Sequence, residues 1–128
     1  ASRVRALTDG KGVDVAYDSV GKDSAQASLD SLKSRGWFVT YGNASGAVEP
    51  LAPGELNRRG SLVMTRPGLF HFVADEAGLK RGAAALFGAM RVGTLKAQIG
   101  QTFALEDAAE AHRAIESGKT IGATLLKP

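Results

Sequence analysis

The strongest constraint on the fold is a strand–helix–strand pattern in the first third of the chain. The segment Val13–Val20 is apolar or aromatic at most positions, which predicts a strand buried on both faces, as in a parallel sheet. Ala25, Leu29 and Leu32 then recur at helical spacing, and Trp37–Tyr41 predicts a second strand. Because a helix joins these two strands, we expect them to run parallel in one sheet.

The boundaries of this crossover helix are marked by polar residues and a glycine. Asp23 or Ser24 can cap its start by accepting from free backbone N–H groups. Gly36 is typical of a left-handed residue that ends a helix. The spacing therefore predicts a helix of about a dozen residues, a common length for a βαβ crossover.

The rest of the chain continues to alternate between strand and helix patterns. Further strands are predicted at Ser61–Thr65, Ala97–Phe103 and Thr120–Leu126. Helices are predicted at Pro53–Arg59, from Asp75 to Gly93 with Leu79, Leu86, Phe87 and Met90 on it, and at Glu106–Ser117. The alternation predicts an α/β fold in which Ser61–Thr65 joins the sheet of the first two strands.

Composition excludes several classes of protein. The 128 residues include no cysteine, so disulfides, thiolate nucleophiles and cysteine-ligated zinc are ruled out, and a reducing cytoplasmic location is expected. No stretch approaches the roughly 20 apolar residues of a membrane span. The net charge is only +3, and no basic run exceeds the pair Arg58-Arg59, which argues against nucleic acid as a partner.

Polar, glycine-bearing loops follow the first two predicted strands. They are Asp18–Gly21 and Gly42–Gly46. Ligands of open α/β sheets bind outside the carboxyl ends of the strands, and glycine lets a ligand approach the backbone closely. These loops are therefore candidate binding loops, although the residues alone leave open that they are ordinary βα turns.

Other signatures of catalysis are missing. There is no Gly-x-Gly-x-x-Gly segment that opens a helix and no Walker loop. His71 and His112 lie far apart, without the spacing of a metal site. We expect His71 to be exposed in a loop or strand end and His112 to be a structural residue at the edge of the core. No catalytic acid or base and no metal ligand is predicted.

Five ordered segments resemble one enzyme group. They are Gly12–Gly21, Gly36–Gly46, Gly60–Pro67, Phe103–His112 and Gly122–Pro128. Together they resemble the medium-chain dehydrogenase/reductase superfamily and, within it, the zinc-independent NADPH:quinone oxidoreductases of the zeta-crystallin-like branch. The resemblance covers essentially the whole chain.

The resemblance implies that the chain is a C-terminal fragment of a longer reductase. Residues 1–92 would form the second half of an NADP-binding Rossmann domain, so the fold class is α/β with the C-terminal half of a Rossmann-type parallel sheet. Residues 93–128 would return to the catalytic domain. The glycine-rich diphosphate turn would precede this chain, as would the residues that recognise the adenosine 2′-phosphate.

The resemblance also implies NADPH as cofactor and a set of residues that line it. In this family one loop lies at the adenosine side, a second along the nicotinamide half, and a third near the nicotinamide. The matching residues are, in that order, Ser19, Val20 and Gly21; Tyr41, Gly42, Asn43 and Ala44; and Thr65, Arg66 and Pro67. Relatives often carry an arginine where this chain has Gly118, and the adjacent Lys119 is a candidate replacement.

Two functional hypotheses follow from the resemblance. The parent protein would transfer hydride from NADPH to a quinone or similar electrophilic acceptor, with the isolated chain expected to be inactive. The alternative is a non-catalytic module that self-associates or binds a partner. A homodimer is expected to form through the edge strand Ser61–Thr65, since the family pairs this strand across a two-fold axis and its uncharged residues have high β-propensity.

Overall fold

The computed structural model describes all residues 1–128, and the chain forms two compact units. The first is Ala1–Phe72 and the second is Val73–Pro128. The predicted assignment of residues 1–92 and 93–128 to two domains of a longer protein stays a prediction.

The first unit contains a three-stranded parallel sheet in the order β1-β2-β3. Its elements are α1 (Ser2–Leu7), β1 (Val13–Asp18), α2 (Ala25–Asp30), β2 (Leu32–Thr40), α3 (Pro53–Arg58), β3 (Val63–Thr65) and α4 (Leu69–Phe72). The parallel pairing of the first two strands and the α/β class are thus confirmed. The third strand joins the same sheet and occupies its edge.

The core of the first unit packs between the sheet and the helices. Ala25 and Leu29 from α2 meet Leu32 and Phe38 from β2, and Leu62 closes the cluster. Each large apolar side chain buried in this way contributes about 1.5–3 kcal/mol relative to an exposed one. All three residues predicted to form the helical stripe, Ala25, Leu29 and Leu32, are buried, but Leu32 lies in β2 and not on the helix.

The predicted crossover helix was too long. It ends at Asp30, after six residues, and Leu32 already belongs to β2. Val13 pairs with Leu32 and Val15 with Trp37, so β2 carries extra residues in an irregular stretch. Gly36 lies in this irregular stretch of β2 and not at a helix end, and a Cβ there would meet the Lys33 carbonyl oxygen at 2.9 Å.

Several other predicted boundaries were wrong by a few residues. The first strand ends at Asp18 and not at Val20, and Tyr41 lies outside the second strand. The third begins at Val63, because Ser61 has a left-handed backbone, with a φ of 56°. His71 lies in the short helix α4 and not in a loop or strand end, but is exposed as expected.

The second unit contains a parallel pair of strands and two helices. Its elements are α5 (Glu76–Arg91), β4 (Ile99–Ala104), a 3₁₀ turn (Leu105–Asp107), α6 (Ala108–Glu116) and β5 (Ala123–Lys127). These bounds replace the predicted strands Ala97–Phe103 and Thr120–Leu126 and the predicted helix Glu106–Ser117. Asp75, where this helix was predicted to start, caps α5 by accepting from the Gly78 N–H at 2.5 Å.

Few side chains of the second unit are buried. The apolar residues of α5 are mostly exposed: Leu79, Leu86, Phe87 and Met90 are between 37% and 64% accessible. His112 is also exposed, and only its neighbour Ala111 on α6 is buried. No helix of the chain has the length and apolar character needed to cross a membrane.

Candidate functional site

The end of β1 is organised around the buried carboxylate of Asp18, which is 3% accessible. One oxygen, Oδ1, accepts from the backbone N–H groups of Val20 at 3.0 Å and Gly21 at 2.8 Å. The hydroxyl of Ser24 lies 2.9 Å from Oδ1 and 2.7 Å from Oδ2, and that of Ser28 donates to Oδ2 at 2.7 Å. The two backbone contacts fold the turn Ser19–Gly21 back onto its own strand end, and the three serine contacts tie that strand end to α2.

The environment of Asp18 keeps this carboxylate ionised. Burial by itself raises the pKa of Asp18, because a charged group is less stable away from water. The hydrogen bonds from Gly21, Ser24, Ser28 and Val20 outweigh this effect and hold the pKa below its ordinary value. No salt bridge reaches Asp18, so amide and hydroxyl dipoles alone stabilise its charge.

The loop after β2 is hydrogen-bonded to the turn after β1. The Tyr41 N–H donates to the Asp18 carbonyl at 2.9 Å, which extends the ladder beyond the last paired residues. The Ala44 N–H then donates to Ser19 at 3.3 Å, and that of Ser45 to Val20 at 2.8 Å. The two predicted binding loops are thus brought side by side at the carboxyl edge of the sheet.

Two glycines make this close approach possible. A Cβ on Gly42 would lie far inside van der Waals distance of the Ser19 carbonyl oxygen. A Cβ on Gly21 would overlap the Gly46 carbonyl oxygen in the same way, and Gly21 also has a φ of 92°, where other residues are strained. Glycine at these positions serves the contact between the loops.

The end of β3 is joined to the same edge by Arg66. Its Nη1 lies 3.3 Å from the Thr40 hydroxyl and 3.3 Å from the Gly42 carbonyl. Thr65 is half-buried at the last position of β3, and Pro67 is half-buried after it. All three loops predicted to line a cofactor therefore meet along one edge of the sheet.

A small cleft of about 180 Å³ opens beside Arg66. Its lining combines polar groups with an apolar wall: Thr40, Asn43, Ala47, Val48, Met64 and Arg66. A larger open concavity of about 860 Å³ lies in the second unit, against β4 and the end of β5, and contains none of the predicted site residues. Loop geometry and chemistry both favour the edge of the first unit as the candidate site.

Comparisons with known proteins identify the family of this chain. Residues 1–126 match the family model described as zinc-binding dehydrogenase. The chain belongs to this family. A 2-haloacrylate reductase of Burkholderia is 45% identical over 100% of the chain and 39% of its own length, and a Pseudomonas aeruginosa quinone oxidoreductase is 44% identical over the same shares.

The fold of this family member also matches solved structures. The Escherichia coli quinone oxidoreductase complexed with NADPH is 41% identical, with a TM-score of 0.88, over 99% of this chain and 40% of that one. The chain thus spans about two fifths of the length of the relatives it matches. The predicted resemblance to quinone oxidoreductases is confirmed, as is the Rossmann-like part of their fold.

The family description raises the question of a metal. No group of three or more histidine, cysteine, aspartate or glutamate side chains in residues 1–128 is arranged to hold one. Neither His71 nor His112 is part of such a group. The residues of this chain therefore do not fit a zinc site.

The residues do fit a dinucleotide held through backbone groups. The N–H groups of Gly42 and Asn43 donate to no group of the chain, whereas their neighbours Tyr41, Ala44 and Ser45 all do. Gly42 is half-buried and Asn43 is exposed, so both residues have surface that a ligand can contact. Sequence patterns identified the loops, with Asp18 at the start of the first, but missed the hydrogen bonds from Ser24 and Ser28 to Asp18. Their only signal was the spacing of these three residues between a strand end and a helix face.

Proposed function

We propose that the protein of which this chain forms a part transfers hydride from NADPH to a quinone or a similar electrophilic acceptor. The observation that carries the proposal is the joined carboxyl edge, where free backbone donors of Gly42 and Asn43 lie beside the guanidinium of Arg66. Relatives that are 41–45% identical to the whole chain are quinone and 2-haloacrylate reductases, and two of the matched structures contain NADPH.

The role of this chain in the reaction is to hold and shield the cofactor. NADPH, when bound, supplies the hydride, and the protein contributes orientation and exclusion of water. We propose that three groups of residues line the bound NADPH: Ser19, Val20 and Gly21; Tyr41, Gly42, Asn43 and Ala44; and Thr65, Arg66 and Pro67. Backbone N–H groups suit this task because they bind a ligand without titrating.

The test is a chimera in which this chain replaces the matched residues of the Escherichia coli quinone oxidoreductase. The expected result is NADPH oxidation that depends on added 1,4-benzoquinone. In the chimera, Arg66→Gln should raise the KM for NADPH about tenfold, because the charged donor that braces the Gly42 carbonyl is lost. Arg91→Gln, which changes an exposed arginine of α5 in the other unit, is the matched control.

The outcomes separate the parts of this proposal. A folded chimera that does not oxidise NADPH with any quinone would contradict the proposed reaction. An active chimera in which Arg66→Gln and Arg91→Gln have the same KM would contradict the site assignment alone. The isolated 128-residue chain is expected to show no low-micromolar NADPH binding by calorimetry, because it has no glycine-rich turn to hold the diphosphate.

Three further features belong to the proposal. We propose that the reaction is zinc-independent and takes place in the cytoplasm. We also propose that two copies pair through the free edge of β3, since β3 is hydrogen-bonded only to β2 within the chain. The alternative function, a non-catalytic module that self-associates through this edge, is favoured if the chimera is folded and dimeric but inactive.

A further inference from the structure

We propose that Asp18 is a positioning residue that sets the geometry of the whole cofactor edge, although it touches neither cofactor nor acceptor. The inference rests on the proposed function, since it concerns how the same edge is held. Asp18 is buried. It is not among the residues predicted to line the cofactor. Its influence passes through two successive layers of hydrogen bonds.

The first layer fixes the turn after β1. Oδ1 of Asp18 accepts from the N–H groups of Val20 and Gly21, so these peptide units are oriented toward the carboxylate. The carbonyl groups of Ser19 and Val20 are then free to face the neighbouring loop. Ser19 lies outside the β1–β2 ladder. Strand pairing therefore does not fix the orientation of this turn, and the Asp18 side chain supplies that restraint.

The second layer transmits this orientation to the loop after β2. The carbonyls of Ser19 and Val20 accept from Ala44 and Ser45, and the Ser45 hydroxyl donates to the Val20 carbonyl at 2.9 Å. With Ala44 and Ser45 bound in this way, the N–H groups of Gly42 and Asn43 are the ones left for a ligand. The loop of Ser19–Gly21 and the loop of Tyr41–Ala44 therefore act as one unit, and Asp18 sets the geometry of that unit.

The chemistry around Asp18 explains why a carboxylate, or its amide analogue, is needed. A buried group must accept from two N–H groups on one atom and meet two hydroxyls on the other. Asparagine keeps the Oδ1 acceptor, and its amide can donate to serine hydroxyls, which also accept. Alanine leaves the N–H groups of Val20 and Gly21 without their partner, so the turn is released.

The first experiment measures native-state hydrogen exchange in the 128-residue chain at pH 7. In Asp18→Ala, exchange of the Ala44 and Ser45 amides should rise about tenfold relative to the Phe38 amide of β2, because the opened turn no longer holds their acceptors. Asp18→Asn should restore most of this protection. Leu56→Ala, which removes a core contact on α3 away from both loops, controls for general loss of stability.

A purely structural role makes a different prediction. If Asp18→Ala and Leu56→Ala raise the exchange of Ala44, Ser45 and Phe38 in the same proportion, Asp18 stabilises the unit without positioning the loops, and the proposal fails. If Asp18→Asn exchanges like Asp18→Ala, the Oδ1 acceptor is not what holds the turn. That result would also overturn the proposal.

The second experiment measures steady-state kinetics in the chimera described above. Asp18→Ala should raise the KM for NADPH about tenfold while the KM for the quinone stays within about twofold, and Asp18→Asn should recover the parent value. Loosened loops with an unchanged KM for NADPH would refute the link to the cofactor. A folded chimera without any activity would count against the proposed function alone, since the exchange experiment decides separately whether Asp18 holds the loops.

Discussion

The hydroxyl of Ser28 donates to Oδ2 of Asp18 at 2.7 Å, although ten residues separate them. This bond links the carboxyl end of β1 to α2. The carboxylate it meets is buried and has no cationic partner within the chain. Folding of the first unit is thereby coupled to the charge of one side chain.

The coupling predicts how stability depends on pH. Burial raises the pKa of Asp18, but its hydrogen bonds lower it further, so the folded pKa lies below the unfolded one. Its contribution is therefore complete above the unfolded value of about 3.9 and is lost as pH falls through the folded pKa. Urea unfolding should show that Asp18→Asn is less stable than the parent at pH 7 and that the gap narrows below about pH 4.

The exposed carboxyls do not obscure this test. The pKa of Asp14 is lowered by its hydrogen bond to Lys33, and that of Glu55 by its hydrogen bonds to Arg59 and Arg58. Both groups are present in the parent and in Asp18→Asn, so the difference between the two proteins isolates Asp18. A gap that stays constant down to pH 3, about one unit below the ordinary pKa of aspartate, would show that the charge of Asp18 is not involved.

A second prediction concerns the contact between the loops. Gly42→Ala places a Cβ against the Ser19 carbonyl oxygen, which belongs to backbone and cannot rotate away. The unit Ala1–Phe72 should lose about 1–3 kcal/mol of unfolding free energy, the usual cost of overpacking. Gly54→Ala is the matched control, because its nearest neighbour is the flexible Arg58 side chain at 3.6 Å. Equal stability of the two variants would contradict the described approach of the loops.

A third prediction concerns Arg59, which joins α2 and α3. Its Nε donates to Glu55 at 2.6 Å and its Nη2 to Gln26 at 2.7 Å, while Nη1 meets Asp30. The hydrogen bond with Glu55 is the main reason that the pKa of Arg59 is raised. Lysine cannot form this fork, so Arg59→Lys should cost about 1 kcal/mol in chemical denaturation.

The adjacent arginine provides the control for that measurement. The Arg58 side chain is 70% exposed and pairs only with Glu55, three residues earlier on the same helix. Arg58→Lys should therefore change the unfolding free energy by less than about 0.5 kcal/mol. If both substitutions cost the same, Arg59 does not clamp the two helices.

The parallel strand pair of the first unit could be predicted from the sequence for a physical reason. Val13–Asp18 and the stripe of Ala25 and Leu29 carry their own apolar pattern, so the parallel pair could be recognised. Gly36 was read as a helix end, because a glycine in a bulge and a glycine after a helix look alike until the register of Leu32 with Val13 is known.

The candidate site was predictable only in part. Loop composition pointed to Asp18–Gly21 and Gly42–Gly46, since glycine and small polar residues at strand ends are visible in the chain itself. The role of Asp18 was not, because its partners Ser24 and Ser28 depend on how the turn folds back toward α2. The apolar residues of α5 show a second limit of sequence patterns. They follow a helical pattern, but they are mostly exposed, and the pattern alone does not predict what covers them.

The last prediction concerns the free edge of β3. Val63–Thr65 pairs with β2 on one side only, and Val63 and Met64 are each 37% exposed. An uncharged edge strand of this kind favours pairing with a second copy, because pairing satisfies its remaining backbone groups. Light scattering of the 128-residue chain at high micromolar concentration should therefore show a dimer or a larger assembly.

Val63→Pro removes a backbone donor and should shift the chain toward monomer, whereas Val63→Thr should not. Met64→Lys, which adds a charge at the edge without restricting the backbone, should also favour monomer while circular dichroism stays unchanged. A stable monomer of the unmodified chain would refute pairing through β3, because the edge is fully available in that experiment.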